Sequence, residues 1–463
     1  MKFSSQLDRT ENANLGVAMH QFATELYPIC RSITGDGIRQ TLKMIQQRIP
    51  LQLSEVPSGT AVFDWTVPRE WNIRDAYIKD GTGRRVVDFR ESSLHVLNYS
   101  TPIHRTMPLS ELRPHLFTLP DHPDWVPYRT SYYKEDWGFC LSHHQLSALP
   151  DADYEVSIDS TLADGSLTYG EFLIPGKSTD EVLISCHSCH PSLANDNLSG
   201  LTVATALAKI VSESAAHNRY SYRFLFIPGT IGAITWLARN RDSAASRIRH
   251  GLVLTCVGDK APFHYKKSRN GSAEVDRAAS HVLSHLTQSP EILDFSPYGY
   301  DERQYCSPGF NLNVGCLMRS VWGTFPQYHT SADNLSFIDP DSLSQSLRVS
   351  ATIFDVLESN RRFRNLHPFC EPQLGRRGLY RSTGGTSPAN EINARLWVLN
   401  LSDSQHSLLD IAERSHLPFA TILQAAELLH ENGLLEAVAE SEGQGTTASA
   451  SPQMPHKHTA SNS

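Results

Sequence analysis

Apolar residues recur at near-helical spacings of three to five, through Val17, Phe22 and Leu26 and again through Leu42 and Ile45, which predicts helices burying one face. A Thr34-Gly35-Asp36-Gly37 break divides this stretch, Asn14 to about Gln47, into two helices. From about 53 to 148 the pattern changes. TAVFDWTV, DAYIKD, RRVVDF and LHVLNYS are short β-branched and aromatic runs separated by Pro, Gly and Asp, which predicts a small all-β module. Thr101 to Tyr133 is Pro-rich and reads as irregular.

Residues 150 to 360 alternate between strand and helix. Tyr154–Ile158, Gly170–Ile174, Val182–Cys186, Tyr222–Ile227 and Leu252–Val257 read as strands. Leu198–Ser214, with Ala204, Leu207, Ala208 and Val211 on one face, and Ile231–Asn240 read as helices. Apolar strands set between helices predict an α/β fold, a sheet covered by helices on both faces. The first two helices belong to this same domain, so it is expected to comprise 1–52 and 149–360, with 53–148 inserted. Residues 361–395, rich in Arg, Gly and Pro, read as a linker. Residues 396–438 read as two short helices, Gly433 and a closing strand-like segment. The tail, 439–463, is Ser-, Thr-, Ala- and Gln-rich and is expected to be disordered. A length of 463 residues accommodates such an arrangement.

Composition narrows the function. A formal net charge of −8 argues against a nucleic-acid or anionic-membrane surface. No stretch reaches the ~20 apolar residues that span a bilayer. The first residues lack an apolar signal region, so a cytoplasmic location is expected. The eight cysteines should then be reduced, most of them as small core residues. In the C-terminal segment Pro418–Leu429 there is no Lys or Arg, which disfavours a DNA-reading role. No nucleic-acid partner and no membrane partner is therefore expected. Self-association stays open.

The densest chemistry lies in Ile184 to Gly200, ISCHSCHPSLANDNLSG, between a strand and a helix. Loops beyond the carboxyl ends of strands are where open α/β sheets place their sites. His187 and Asp196 offer an imidazole and a carboxylate, both standard zinc ligands. Asp259 follows a further strand, and His329 sits in a polar loop, QYHTSADN. Taken singly, each is as well explained as a helix cap or a satisfied polar group. Their common position at strand–loop junctions favours a metal. Cys186-His187-Ser188-Cys189-His190 also has the C-x-x-C-H spacing of haem attachment, but Cys186 lies in an apolar strand. No second C-x-x-C completes a four-cysteine zinc site.

The order His, Asn-Asp-Asn-x-Ser-Gly, Asp, Tyr-His-Thr resembles the zinc aminopeptidases of peptidase family twenty-eight. More closely, ANDNLSG, LTCVGD, YDERQYCSPGFN and YHTSADN resemble the aminopeptidase-like family called domain of unknown function 4910. FDWTVPREWNIRDAYI resembles that family's inserted β module, and the last 70 residues its winged-helix end. The resemblance implies a zinc-aminopeptidase-like mixed sheet with an inserted β domain and a C-terminal winged-helix-like domain. Asp196 would be a bridging carboxylate, His187 and Asp259 would complete one metal position, and His329 would serve the other. Asp301, Glu302, Arg303 and Tyr328 are implied at the substrate, although Asp301 or Glu302 could equally hold structure with Arg303.

Two departures matter. The wider family has two adjacent Glu residues, one the general base and one a ligand, where this chain has Gly229 and Thr230. Glycine cannot take a proton, and threonine is a poor ligand for a second ion. Cys189 stands where the wider family has an Asp supporting the His ligand, so Cys189 or His190 becomes an alternative ligand or support. The resemblance thus implies a metal-dependent aminopeptidase-like hydrolase acting on a peptide or other amide, in a biosynthetic pathway, and holding one zinc rather than two. The alternative is a degenerate relative that binds metal and ligand without cleaving.

Overall fold

The computed structural model describes residues 1–9, 14–379 and 389–438. The tail expected to be disordered, 439–463, lies outside them. Contacts divide the chain into two compact units, 1–360 with 418–420, and 361–417 with 421–463.

The large unit is built on an eight-stranded sheet. Its strands are β1 (Gln52–Pro57), β2 (Ser166–Ile174), β3 (Glu181–His187), β4 (Ser221–Ile227), β5 (Ile248–Leu254), β6 (His264–Lys266), β7 (Glu291–Leu293) and β8 (Val314–Met318). They lie in the order β1-β2-β4-β3-β5-β8-β6-β7. The inner four, β4, β3, β5 and β8, are mutually parallel, so their carboxyl ends share one edge. β1 and β2 run antiparallel on one side. Every residue of β3, β4 and β8 is buried, as strands covered on both faces must be.

Helices α1 (Leu15–Leu26), α2 (Asp36–Gln46), α3 (Gly200–Glu213), α4 (Ile231–Asn240), α5 (Glu274–Leu286) and α6 (Pro340–Ser359) enclose the sheet. Helices α1, α3 and α5 each pack against α6. α6 starts where the chain dictates, with Pro340 at its first turn and the Asp339 carboxylate accepting from the Ser342 N–H at 3.2 Å. α2 starts at Gly35, whose φ of 98° and whose approach to the Trp71 carbonyl leave no room for a side chain.

The inserted module differs from its expected bounds. Its four-stranded antiparallel sheet runs Arg85–Asp88, Glu70–Lys79, Asp153–Ala163, Ile103–Pro108. The strand read as catalytic, Tyr154–Ile158, thus belongs to the small sheet, pairing Ile158 with Ala76 and with Ile103. Conversely Gln52–Pro57, at the start of the expected insert, is the edge strand of the large sheet. A tight turn at Asp164-Gly165 lets one β stretch serve both sheets.

In the small unit, Arg362–Asn365 is the middle strand of a three-stranded antiparallel sheet with Asp403–Ser407 and Leu435–Ala437. Helix Ala389–Leu401 begins inside the stretch read as linker. The expected linker 361–395 is therefore partly structured. Leu408–Ser415 is capped by Ser407 and Asp410 in a reciprocal capping box, and Phe419–Glu431 follows. No helix of the described residues is long and apolar enough to cross a membrane.

Candidate metal centre

The site is assembled at the carboxyl edge of the parallel strands. His187 is the last residue of β3 and is 2 % exposed. After it the chain leaves the extended path and returns through Ala194–Ser199 into α3. Each residue of Asn195-Asp196-Asn197 has a separate task. Asn195 receives the Gly258 N–H at 2.8 Å and donates to the Asp259 carboxylate at 2.6 Å. Asn197 accepts the Gly200 N–H at 3.1 Å and donates to the Leu254 carbonyl at 3.0 Å, tying α3 to β5. Asp196 is left to face the site.

The Asp196 carboxylate is fully buried and surrounded by imidazoles. Its Oδ1 lies 2.8 Å from His187 Nε2. Its Oδ2 lies 3.0 Å from His329 Nε2 and 3.2 Å from His190 Nδ1. The Tyr300 hydroxyl donates to Oδ1 at 2.7 Å. Burial opposes the charge of Asp196, but His190 and His187 prevail and hold it well below the usual carboxylate range. Burial draws the His329 imidazole below its ordinary value, against the pull of Asp196. Ligand atoms of His187, His190 and Asp196 all lie within 4.8 Å of one another. Imidazole nitrogen and carboxylate oxygen are standard zinc ligands, so this donor set suits that ion by its chemistry.

The structure therefore brings together His187, Asp196, His329 and His190. It treats Asp259 differently. Its oxygens take the Asn195 amide and the Ala261 N–H at 2.7 Å, so its recorded bonds support the loop. The Cys189 sulfur accepts the Gly229 N–H at 3.3 Å. Burial pushes that thiol up to about 12. Cys186, the other half of the haem-like spacing, donates to the Leu254 carbonyl from inside β3 and is a free cysteine.

Gly229 lies beside the cluster. A Cβ there would sit 3.5 Å from both His187 Cβ and Cys189 Sγ. Thr230 follows with φ 61°, and its N–H donates to Asp301 Oδ1 at 2.7 Å. Glu302 does not face this space. It pairs with Lys266 at 2.7 Å in the interior. Arg303 reaches the Thr230 hydroxyl at 3.4 Å, and Tyr328 stacks on His329 with centroids 3.9 Å apart.

Sequence reasoning assigned no role to Asp333, Tyr300 or Tyr128. Asp333 accepts the N–H groups of Asn195 and Asp196 at 2.6 and 2.9 Å, which fixes the carboxylate loop. Burial pushes its carboxyl up to about 8 despite those bonds. Tyr300 stacks on His187, and Tyr128 meets both His190 and His329 edge-on. The one available signal was Asp333 lying four residues after His329 in a single loop.

Asp301 gives a pH test. Burial pushes its carboxyl up to about 7, against the Thr230 N–H. The unfolded carboxyl titrates near ~3.9, so between these values the native state keeps a proton that the unfolded state has lost, and stability falls as pH rises. Asp301→Asn retains an oxygen for Thr230 and has no such loss. In urea denaturation of the metal-free protein, its stability advantage over wild type should grow by ~2 kcal/mol between about pH 5 and 8. A pH-independent difference would refute the assignment.

The architecture is that of the aminopeptidase-like α/β proteins. A zinc aminopeptidase from Bacillus subtilis is similar with a TM-score of 0.54 at 12% identity, over 74% of this chain and 94% of that one. A peptidase M28 precursor from Shewanella amazonensis gives 0.53 at 14%, over 77% and 96%. These likenesses concern the fold. The chain belongs to the family described as Domain of unknown function (DUF4910), which matches residues 20–360, and a winged helix-turn-helix family matches 361–437. A Clostridium acetobutylicum protein with an aminopeptidase-like domain, described provisionally as one of polysaccharide biosynthesis, is 51% identical over 92% of this chain and 98% of its own. A crystal structure from Clostridium acetobutylicum, described provisionally as a peptidase, has a TM-score of 0.89 at 48% identity, over 94% of this chain and all (100%) of that one.

Proposed function

We propose that this protein is a metal-dependent amide hydrolase of the aminopeptidase type, holding one zinc on His187, His190, Asp196 and His329. The observation that carries this reading is the convergence of three imidazoles on the buried Asp196 carboxylate at the strand edge. Bound there, zinc supplies Lewis acidity to an amide carbonyl and to the attacking water. The chain's own groups do the rest. Asp333 and Asn195 fix the loop, Tyr300 and Tyr328 orient His187 and His329, and Cys189 anchors Gly229. The provisional place of the Clostridium relative in polysaccharide biosynthesis supports an amide of a biosynthetic intermediate over bulk peptides. Nothing in this role requires nucleic acid or a membrane, and a cytoplasmic setting suits the free cysteines.

Gly229 favours a second reading, in which ligand is bound and not cleaved, because it removes the usual proton acceptor. Elemental analysis of untagged protein, with turnover of amino-acid p-nitroanilides, separates the two. About one zinc per chain with measurable hydrolysis is expected. Zinc without hydrolysis would establish the binding reading, and protein that takes up no zinc would sink both.

A further inference from the structure

Most guanidinium groups packed into this unit have carboxylate partners. Arg39 contacts Asp36, Glu55 and Glu70, Arg85 contacts Asp75 and Asp88, and Arg223 contacts Glu171 and Glu181. Two groups beside the metal centre do not. Arg303, partly exposed, forms no ion pair among the described residues. Its recorded bond is the 3.4 Å contact to the Thr230 hydroxyl, and its buried Nε has no partner. Arg31 is 0 % exposed, gives Nε to the His190 carbonyl at 2.8 Å, and leaves Nη2 without a partner. Asp301 neighbours Arg303 but is committed to the Thr230 N–H. Burial opposes the charge of Asp301 while Arg303 favours it, so the two groups interact without a direct hydrogen bond.

A partly buried guanidinium with no carboxylate hydrogen-bonded to it, and with its buried Nε unpartnered, is an electrostatic cost that an anionic ligand removes. The position narrows the anion further. Arg303 is one side chain from Thr230, which adjoins Gly229, and a Cβ at Gly229 would touch His187. The charge it meets is therefore close to the reacting amide. Gln304, next to Arg303 in the chain, lines a groove of about 410 Å³ with Ile234, Asp64, Arg241 and the aromatic rings of Phe63, Trp65 and Phe310. This gives the substrate's remaining bulk a place away from the ion.

We infer that the substrate is an acidic amide, carrying a carboxylate close to the scissile bond, and that Arg303 binds that carboxylate. The planar fork of arginine matches a carboxylate in a way that a water-filled gap or a lysine does not. This inference rests on the amide-hydrolase reading of the same site, which supplies the scissile bond.

The test uses metal-free full-length protein, so that zinc contributes nothing to the anion. Calorimetry would compare N-acetyl-L-alanine with its neutral amide, N-acetyl-L-alaninamide. Wild type should prefer the acid by at least ~10-fold, and Arg303→Gln should reduce that preference below about 3-fold, as expected for loss of a charge-assisted bidentate contact. Arg303→Lys, which keeps the charge, should fall between. Thermal melting and zinc uptake of both variants should match wild type. Equal binding of the two probes, no binding of either, or an acid preference that survives Arg303→Gln overturns the inference. Failure of wild type to take up zinc is a separate result: it overturns the amide-hydrolase reading and with it the scissile bond, whereas the acid preference and its loss in Arg303→Gln test the carboxylate contact itself.

Discussion

Gly229→Glu is expected to raise the turnover of an amino-acid p-nitroanilide by ~10²–10⁴-fold, the usual contribution of a positioned proton acceptor. The local structure admits the change. Position 229 does not have a left-handed backbone, and the new Cβ would meet His187 and Cys189 at ordinary contact distances of 3.5 Å. The position is partly exposed at the mouth of the cluster, so a carboxylate there stays solvated and charged. It would start beside His187 and Cys189, at the sequence position that the resemblance matches to a Glu. The gain should appear in kcat with KM little changed, because a base acts in the transition state and adds no ground-state contact. Zinc content should not change. A variant that binds zinc, keeps its fold and still shows background turnover would exclude a dormant hydrolase. Binding without cleavage would then be the function.

The sequence made the metal loop legible because its signals are local. A mainly apolar run, Val182–Cys186, ending at His187 and followed nine residues later by Asp196 before a helix, favours placing both side chains near one strand end. The fate of the neighbouring residues was not local. Alternation in an extended chain predicts that His187 and Cys189 share a face, but β3 ends at His187. Beyond it the chain turns, Cys189 meets the Gly229 N–H, and His190 comes round to Asp196. Asp259 was read as a ligand because it too follows a strand. Five residues separate it from the end of β5 at Leu254, and the Asn195 side chain occupies the intervening space. The small sheet was misdivided for a related reason. The pattern of Asp153–Ala163 shows one buried face but does not say which strand lies beside it. Asp333 escaped notice because its place four residues after His329 does not reveal a buried carboxyl accepting two backbone N–H groups.

Zinc affinity across three substitutions should therefore rank in an order that the geometry fixes. Asp196→Asn removes the charge that His187, His190, His329 and Tyr300 all address, and leaves an amide whose N–H₂ cannot ligate. Its affinity should fall by at least ~10³-fold, beyond the ~10–100-fold typical of lost outer supports. His190→Ala removes one donor of the cluster and should cost more than ~100-fold, while Asp259→Asn, acting through Asn195, should stay within ~10–100-fold. Competition against a chromogenic chelator measures all three. Zinc-dependent stabilisation gives an independent reading, since an ion at 100 times its Kd raises stability by ~2.7 kcal/mol and that increment vanishes when the site is lost. If Asp259→Asn proves as damaging as Asp196→Asn while His190→Ala is mild, the ion lies on the His187, Asp196 and Asp259 side of the carboxylate. The loop would then have to rearrange on metal binding, with Asn195 releasing Asp259.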